Sequence, residues 1–190
     1  MGSYGRDAAT LLIEVTFGLY IIIVLLRFLL QWARADFYSP ISQFIVKATQ
    51  PPLRPLRRII PGMGGIDLAS LVLMFVLQWI ELWLIFAVKG FSPAVAAIAM
   101  LSVAELLQLT IYVFLFSIIV QVVLSWVNPQ AYNPVTVLIF NLNEPLLRPA
   151  RRLVPTFSGL DLSPLVVIIL LQLASILLVH PIRDIAANLV

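Results

Sequence analysis

The chain has 190 residues, of which 62% are hydrophobic and 11% charged, and its formal net charge is +3. Soluble domains run to about 45–50% apolar and about 25% charged residues, so charge this sparse excludes a soluble globular fold and leaves the apolar surplus to face lipid. With no cysteine and a single histidine, His180, the sequence also excludes disulfides, thiolate or multi-histidine metal sites, iron–sulfur clusters, thioether-bound haem and a cysteine nucleophile.

Four segments approach the roughly 20 apolar residues that a membrane helix needs. Met1 to Thr10 carries one arginine and one aspartate and no basic n-region, so the first apolar run, about Leu11 to Ala33, reads as a retained span rather than a cleaved signal. After it, Pro40 to Thr49 is amphipathic, with Ile41, Phe44, Ile45 and Ala48 on one face. The stretch Pro-Pro-Leu-Arg-Pro-Leu-Arg-Arg-Ile-Ile-Pro from Pro51 follows. Read as a short helix bounded by its prolines, it places Arg54, Arg57 and Arg58 on one face and Leu53, Leu56 and Ile60 on the other. Such a segment is expected to lie in the interface, apolar side down.

Asp67 stands at the start of the second span, about Ile66 to Val88. It reads as a helix N-cap, as an ion pair with the motif arginines, or as both, because a carboxylate has two oxygens. Ser92-Pro93 then opens a short apolar run, Pro93 to Val103. The expectation is a short interfacial or re-entrant helix that kinks into the third span, about Leu106 to Val127, with a fifth true span as the alternative. A single helix from Pro93 to Val127 would be about 52 Å long, more than hydrocarbon can hold. The second loop carries Arg148, Arg151 and Arg152 against Leu147, Ala150 and Val154. Asp161 stands at the start of the fourth span, about Leu160 to Val179.

The chain repeats itself. Shifted by 94 residues, the halves align without a gap, and from Arg27 to Ile80, 19 of 54 positions are identical. Chance similarity between greasy segments would match leucines; here Pro51, Arg54, Pro55, Arg57, Arg58, Pro61, Gly65 and Asp67 fall on Pro145, Arg148, Pro149, Arg151, Arg152, Pro155, Gly159 and Asp161. Trp32, Tyr38 and Pro40 fall on Trp126, Tyr132 and Pro134. The expected domains are therefore 1–92 and 93–190, each a two-helix unit entering the membrane in the same sense. The intra-repeat loops hold Arg34, Lys47, Arg54, Arg57, Arg58, Arg148, Arg151 and Arg152, against Arg6, Lys89 and Arg183 on the other side. By the positive-inside rule both basic loops are cytoplasmic, both termini lie outside, and Trp32 and Trp126 anchor at the inner interface.

Polar groups inside the spans are candidates for function. Arg27 lies near the inner end of span one, from where it could snorkel. Glu14, Glu81 and Glu105 fall in the outer third, and Gln78 and Gln172 occupy matching positions near mid-bilayer. The plain reading of the amides is interhelical hydrogen bonding; the sharper one is a cation path. Four short spans enclose only a narrow cavity. No phosphate loop, metal cluster or catalytic triad is present in the sequence, so no enzymatic activity and no cofactor is expected.

The duplicated Pro-Leu-x-Arg-Pro-x-Arg-Arg-x-x-Pro, the Gly-x-Asp-Leu that follows and the spacing of the spans resemble the YggT (YlmG) family of small bacterial and plastid membrane proteins. The resemblance covers about Leu11 to Val179; the second copy departs from the first at Asn128 for Arg34 and Leu146 for Pro52. It implies an inner-membrane protein with no established enzymatic activity. It also implies association with cell division and nucleoid distribution, assembly of a plastid cytochrome complex, or osmotic and potassium homeostasis. The residues and the resemblance together give an expectation of a non-enzymatic scaffold or assembly factor. Its arginines, Arg54, Arg57, Arg58, Arg148, Arg151 and Arg152, would meet anionic lipid head groups or a membrane-protein partner, and an oligomer is compatible with this. The alternative is a component of small-cation transport. Eight basic residues spread over two membrane-hugging loops give no direct sign of nucleic acid. Mere topology and anchoring would produce the same arginines.

Overall fold

The computed structural model describes residues 3–36, 38–62, 65–127, 133–154 and 161–189. In chain order the elements are α1 (Ser3–Trp32), α2 (Pro40–Ile59), α3 (Leu68–Lys89), α4 (Val95–Val127), α5 (Pro134–Leu153), α6 (Ser163–Ala174), a π-helical turn (Ser175–Val179) and α7 (His180–Ala187). Among the described residues four rods are long and apolar enough to cross a membrane: α1, α3, α4 and the continuous Ser163–Ala187 segment. The molecule is an all-α membrane protein among its described residues. Pro155, Gly159 and Tyr132, used above to align the halves, lie outside those residues.

Helix α1 packs along α3 and α2, and α3 packs on α4. Helix α4 in turn carries α5, α6, the π turn and α7, while α5 also touches α1 and α2. The largest core cluster joins Val24, Leu25 and Leu29 of α1 to Leu53 of α2, Met74 of α3 and Phe114 of α4. Trp32 meets Phe114 edge-on at 6.3 Å. Many large side chains elsewhere on the rods, such as Leu19, Val76, Phe116 and Leu177, are exposed, as lipid-facing surface requires.

Three expectations change. The run from Pro93 is not a separate short helix: Val95–Val127 is one helix of 33 residues. Nothing between Val103 and Leu106 breaks it, since Ala104 and Glu105 are both good helix formers. The fourth span does not end at Val179. Pro181 cannot donate to an i−4 carbonyl, and the wider π turn just before it lets the rod continue to Ala187.

The third change concerns the loop helices. Each is 20 residues long and runs through its prolines instead of stopping at them: Pro51, Pro52 and Pro55 lie inside α2, and Pro145 and Pro149 inside α5. A proline leaves the carbonyl four residues back without its usual partner. For Pro52 that carbonyl is Ala48, and the Tyr20 hydroxyl of α1 donates to it at 3.3 Å. The N-termini are conventional, with Ser39 and Asn133 as caps accepting from Ser42 and Thr136 and a proline at the next position.

Candidate functional site

The 94-residue shift carries α2 onto α5 end for end. On α2 the buried stripe is Ser42, Ile45, Thr49 and Leu53; on α5 it includes Thr136, Leu142, Asn143 and Leu147. Phe44, placed with Ile41 and Ile45 from the sequence, is exposed. The stripe is partly polar because it meets a polar residue of the neighbouring span.

In the first half that residue is Arg27, only 3% exposed. It does not snorkel out of the bundle. Its Nη1 donates to Thr49 Oγ1 at 2.6 Å and to the Val46 carbonyl at 3.1 Å, and its Nη2 donates to Gln50 Oε1 at 3.3 Å. In the second half the corresponding residues are Gln121 and Asn143. Asn143 Nδ2 donates to Gln121 Oε1 at 2.8 Å, and Ser117 Oγ donates to Asn143 Oδ1 at 2.6 Å. The same joint is cationic in one half and neutral in the other.

The arginine triplets divide by role. Arg57 turns toward α3 and pairs with Asp67, whose Oδ1 accepts from the Ser70 amide at 3.3 Å and whose Oδ2 accepts from Ser70 Oγ at 2.6 Å. Asp67 is thus a helix cap and an ion-pair partner at once. Burial pushes its carboxyl up, but the hydrogen bonds from Arg57 and Ser70 outweigh it and hold the group below the usual aspartate range. Arg151 repeats this with Asp161 at 3.1 Å and adds Glu144 at 3.0 Å. Asp161 Oδ1 accepts from the Ser163 amide at 2.9 Å. Burial raises the Asp161 carboxyl, and the bonds from Ser163 and Arg151 bring it below its ordinary value. The two pairs differ in exposure: the side chain of Asp67 is 4% exposed and that of Asp161 39%.

Arg54, Arg58, Arg148 and Arg152 remain exposed. Arg54 and Lys47 line an open groove of about 620 Å3 beside Tyr38. Ile59 and Leu153, beside the last arginines, are exposed apolar groups of the kind that enter an interface.

A second polar cluster lies where the halves meet. Gln78 Nε2 donates to Glu81 Oε2 at 2.9 Å, Arg183 Nη2 donates to Glu105 Oε2 at 2.9 Å, and Ser175 Oγ donates to Gln108 Oε1 at 2.8 Å. A cavity of about 240 Å3 opens among Gln78, Glu81, Glu105, Gln108 and Arg183. Glu14 is exposed on α1, and Gln172, the match of Gln78, is exposed on α6 and takes no part.

The sequence model of the CCB3/YggT family matches the chain twice, over residues 7–88 and 100–182. The chain belongs to the CCB3/YggT family. Among curated relatives, an uncharacterized protein of Pseudomonas aeruginosa is 48% identical over 179 residues, covering 93% of this chain and 91% of the relative. An uncharacterized protein of Vibrio alginolyticus, described by its place in the proC 3' region, is 43% identical over 175 residues, covering 90% and 94%. The uncharacterized protein YggT of Escherichia coli K12 is 40% identical over 165 residues, covering 87% and 86%. No solved structure matches.

In this CCB3/YggT chain the structure brings together Arg27, Arg57 and Asp67 on one side of the bundle and Gln78 and Glu81 on the other. Sequence reasoning missed Thr49 and Asn143, and it assigned Arg183 to an outer tail. The signal for the first two was in the repeat itself: the pairs 27/49 and 121/143 are both 22 residues apart and both polar. Arg183 carried no such signal, because it reaches Glu105 only when the helix continues through Pro181.

Proposed function

We propose that the protein is a non-enzymatic membrane scaffold that offers the exposed faces of α2 and α5 to anionic surfaces at the cytoplasmic side of the inner membrane. The observation that carries this reading is the pair of equivalent loop helices, each with its inner face fixed to the bundle and two arginines left free: Arg54 and Arg58 on one, Arg148 and Arg152 on the other. Each arginine near an anionic surface contributes about 1 kcal/mol of attraction, so four together suffice to hold a lipid leaflet or the acidic face of a membrane-protein partner. The lysine and arginine distribution supports cytoplasmic loops and external termini, with the two halves related by a pseudo-two-fold axis along the membrane normal. Recruitment or assembly at the membrane, in cell division or in building a membrane complex, is the kind of work such a platform does.

A second reading, a component of small-cation transport, draws on Glu81, 7% exposed and placed with Gln78 and Glu105 around a cavity between the halves. Against it, Glu105 is already neutralised by Arg183, and the residues matching Glu81 and Glu14 are Ser175 and Gln108, so the second half repeats no acid.

Affinity purification from native membranes, followed by reconstitution of the pure protein, separates the two. A stoichiometric membrane-protein partner with no potassium flux in liposomes is the expected result. Flux without a partner would replace the scaffold by the transport reading. Sidedness is checked on the thiol-free sequence with Tyr38→Cys: protection from an impermeant thiol reagent in intact cells is expected, and labelling from outside would invert the topology.

A further inference from the structure

The first-half joint leaves an electrostatic remainder. A cavity of about 660 Å3 lies among Arg27, Gln31, Gln50, Arg57, Gly62 and Asp67. It carries two guanidinium groups and one carboxylate, and the carboxylate is taken by Arg57 and Ser70. Arg27 is 3% exposed, yet every acceptor it meets is uncharged: a backbone carbonyl, a threonine hydroxyl and an amide oxygen. Among the described residues no carboxylate lies within salt-bridge distance of it. Its Nε has no hydrogen-bond partner among the described residues. A guanidinium has five N–H donors; three are used here, and a charge buried in this way is ordinarily paired.

The second half supplies a comparison within the molecule. Its cavity, about 640 Å3, is lined at the corresponding positions by Gln121 for Arg27, Ser125 for Gln31, Phe140 for Val46, Arg151 for Arg57 and Asp161 for Asp67. There one arginine faces one aspartate, and the remaining lining is largely apolar. Size and place are conserved between the two halves of the chain, and one positive charge is not.

We propose that the first-half cavity is a binding site for one phosphate-bearing anion, held between Arg27 and Arg57 with the Gln31 amide as a further donor. Planar guanidinium groups suit phosphate oxygens and bind them with charge-assisted hydrogen bonds. The phosphate can come from a phospholipid head group or from a free phosphate. The site is separate from the exposed arginines of the scaffold reading. Its failure would appear as loss of a retained ligand, and failure of the scaffold reading as loss of the partner.

The test uses the full chain in detergent, by native mass spectrometry. Micelles are doped with phosphatidylglycerol or with diacylglycerol, which lacks the phosphate, and inorganic phosphate is then added as competitor. The chain is expected to retain one phosphatidylglycerol with at least a tenfold preference over diacylglycerol. Displacement by inorganic phosphate assigns the site to the phosphate group alone; resistance to it assigns the site to the lipid. Gln31→Glu places a carboxylate beside Arg27 and should lower retention at least tenfold while raising the thermal midpoint of the ligand-free protein. Arg27→Gln should lower retention equally, and Ser125→Glu, the same change in the second cavity, should leave it unaltered. Equal retention of diacylglycerol, or full retention in Gln31→Glu, overturns the site.

Discussion

The two loop-helix joints share a frame and differ in chemistry. Arg27 with Thr49 holds α2 to α1, and Gln121 with Asn143 holds α5 to α4, each pair spanning 22 residues. A neutral amide pair satisfies itself. A buried guanidinium needs three acceptors from α2 and still keeps free donors. The difference teaches that one packing solution can serve as plain structure in one copy and as a charged site in the other.

The largest effect should follow from removing the charged joint. Arg27→Met leaves Thr49 and Gln50 without their donor, and hydrogen bonds to charged groups are worth about 1.5–3 kcal/mol. A loss of about 3 kcal/mol is expected in unfolding from detergent micelles. Importing the second-half pair, Arg27→Gln with Thr49→Asn, should recover at least half of it. A double variant no better than Arg27→Met would mean that the two joints are not equivalent.

Next come the aspartates. Asp67→Asn keeps an oxygen for the cap but removes the charge of a buried ion-pair partner, an expected cost of about 2 kcal/mol. Asp161→Asn acts on an exposed pair and should stay within about 0.5 kcal/mol. Equal costs would erase the distinction between the halves. The same contrast appears with pH. The Asp67 carboxyl lies below its ordinary value of about 3.9 in the fold, so the unfolded chain binds more protons as acid is added. The stabilisation is complete at neutral pH and is lost as pH falls from about 4 through the folded-state value. Thermal midpoints measured from pH 6 to pH 2 should therefore fall less steeply in Asp67→Asn than in the unaltered chain.

The smallest effect is expected at Arg34, which closes α1 in a left-handed conformation with φ 52°. A side chain there costs about 1 kcal/mol relative to glycine, largely offset by the greater backbone entropy that glycine loses on folding. Arg34→Gly should raise the thermal midpoint slightly or leave it unchanged, and a clear drop would show that the Arg34 side chain makes a contact of its own.

Much of this arrangement was legible in the sequence. Apolar length located four spans, and the 94-residue repeat located the two basic loop segments and offered Asp67 and Asp161 as caps or as partners of the motif arginines, without choosing among those arginines. What failed were the boundaries set by proline. Pro51 read as the boundary of a short helix, but α2 runs through it with Tyr20 serving a freed carbonyl, and the last rod runs on beyond Val179 through a π turn. Both remedies depend on long-range contacts or on a local change of helix type, and neither leaves a pattern in composition. The separation of Arg57 from Arg54 and Arg58 was equally hidden. Helical spacing puts all three on one side, and only the position of α3 decides which of them meets a carboxylate.

The scaffold reading rests on the four arginines that the fold leaves free, so the most direct measurement is complementation of a strain lacking the gene. One variant replaces Arg54, Arg58, Arg148 and Arg152 by glutamine and leaves the Arg57–Asp67 and Arg151–Asp161 pairs intact; the other is Glu81→Gln. With membrane levels of both variants matched to the unaltered protein, the four-arginine variant should fail to complement and Glu81→Gln should succeed. Complementation by the four-arginine variant together with failure of Glu81→Gln would contradict the scaffold account and move function to the polar cluster between the halves.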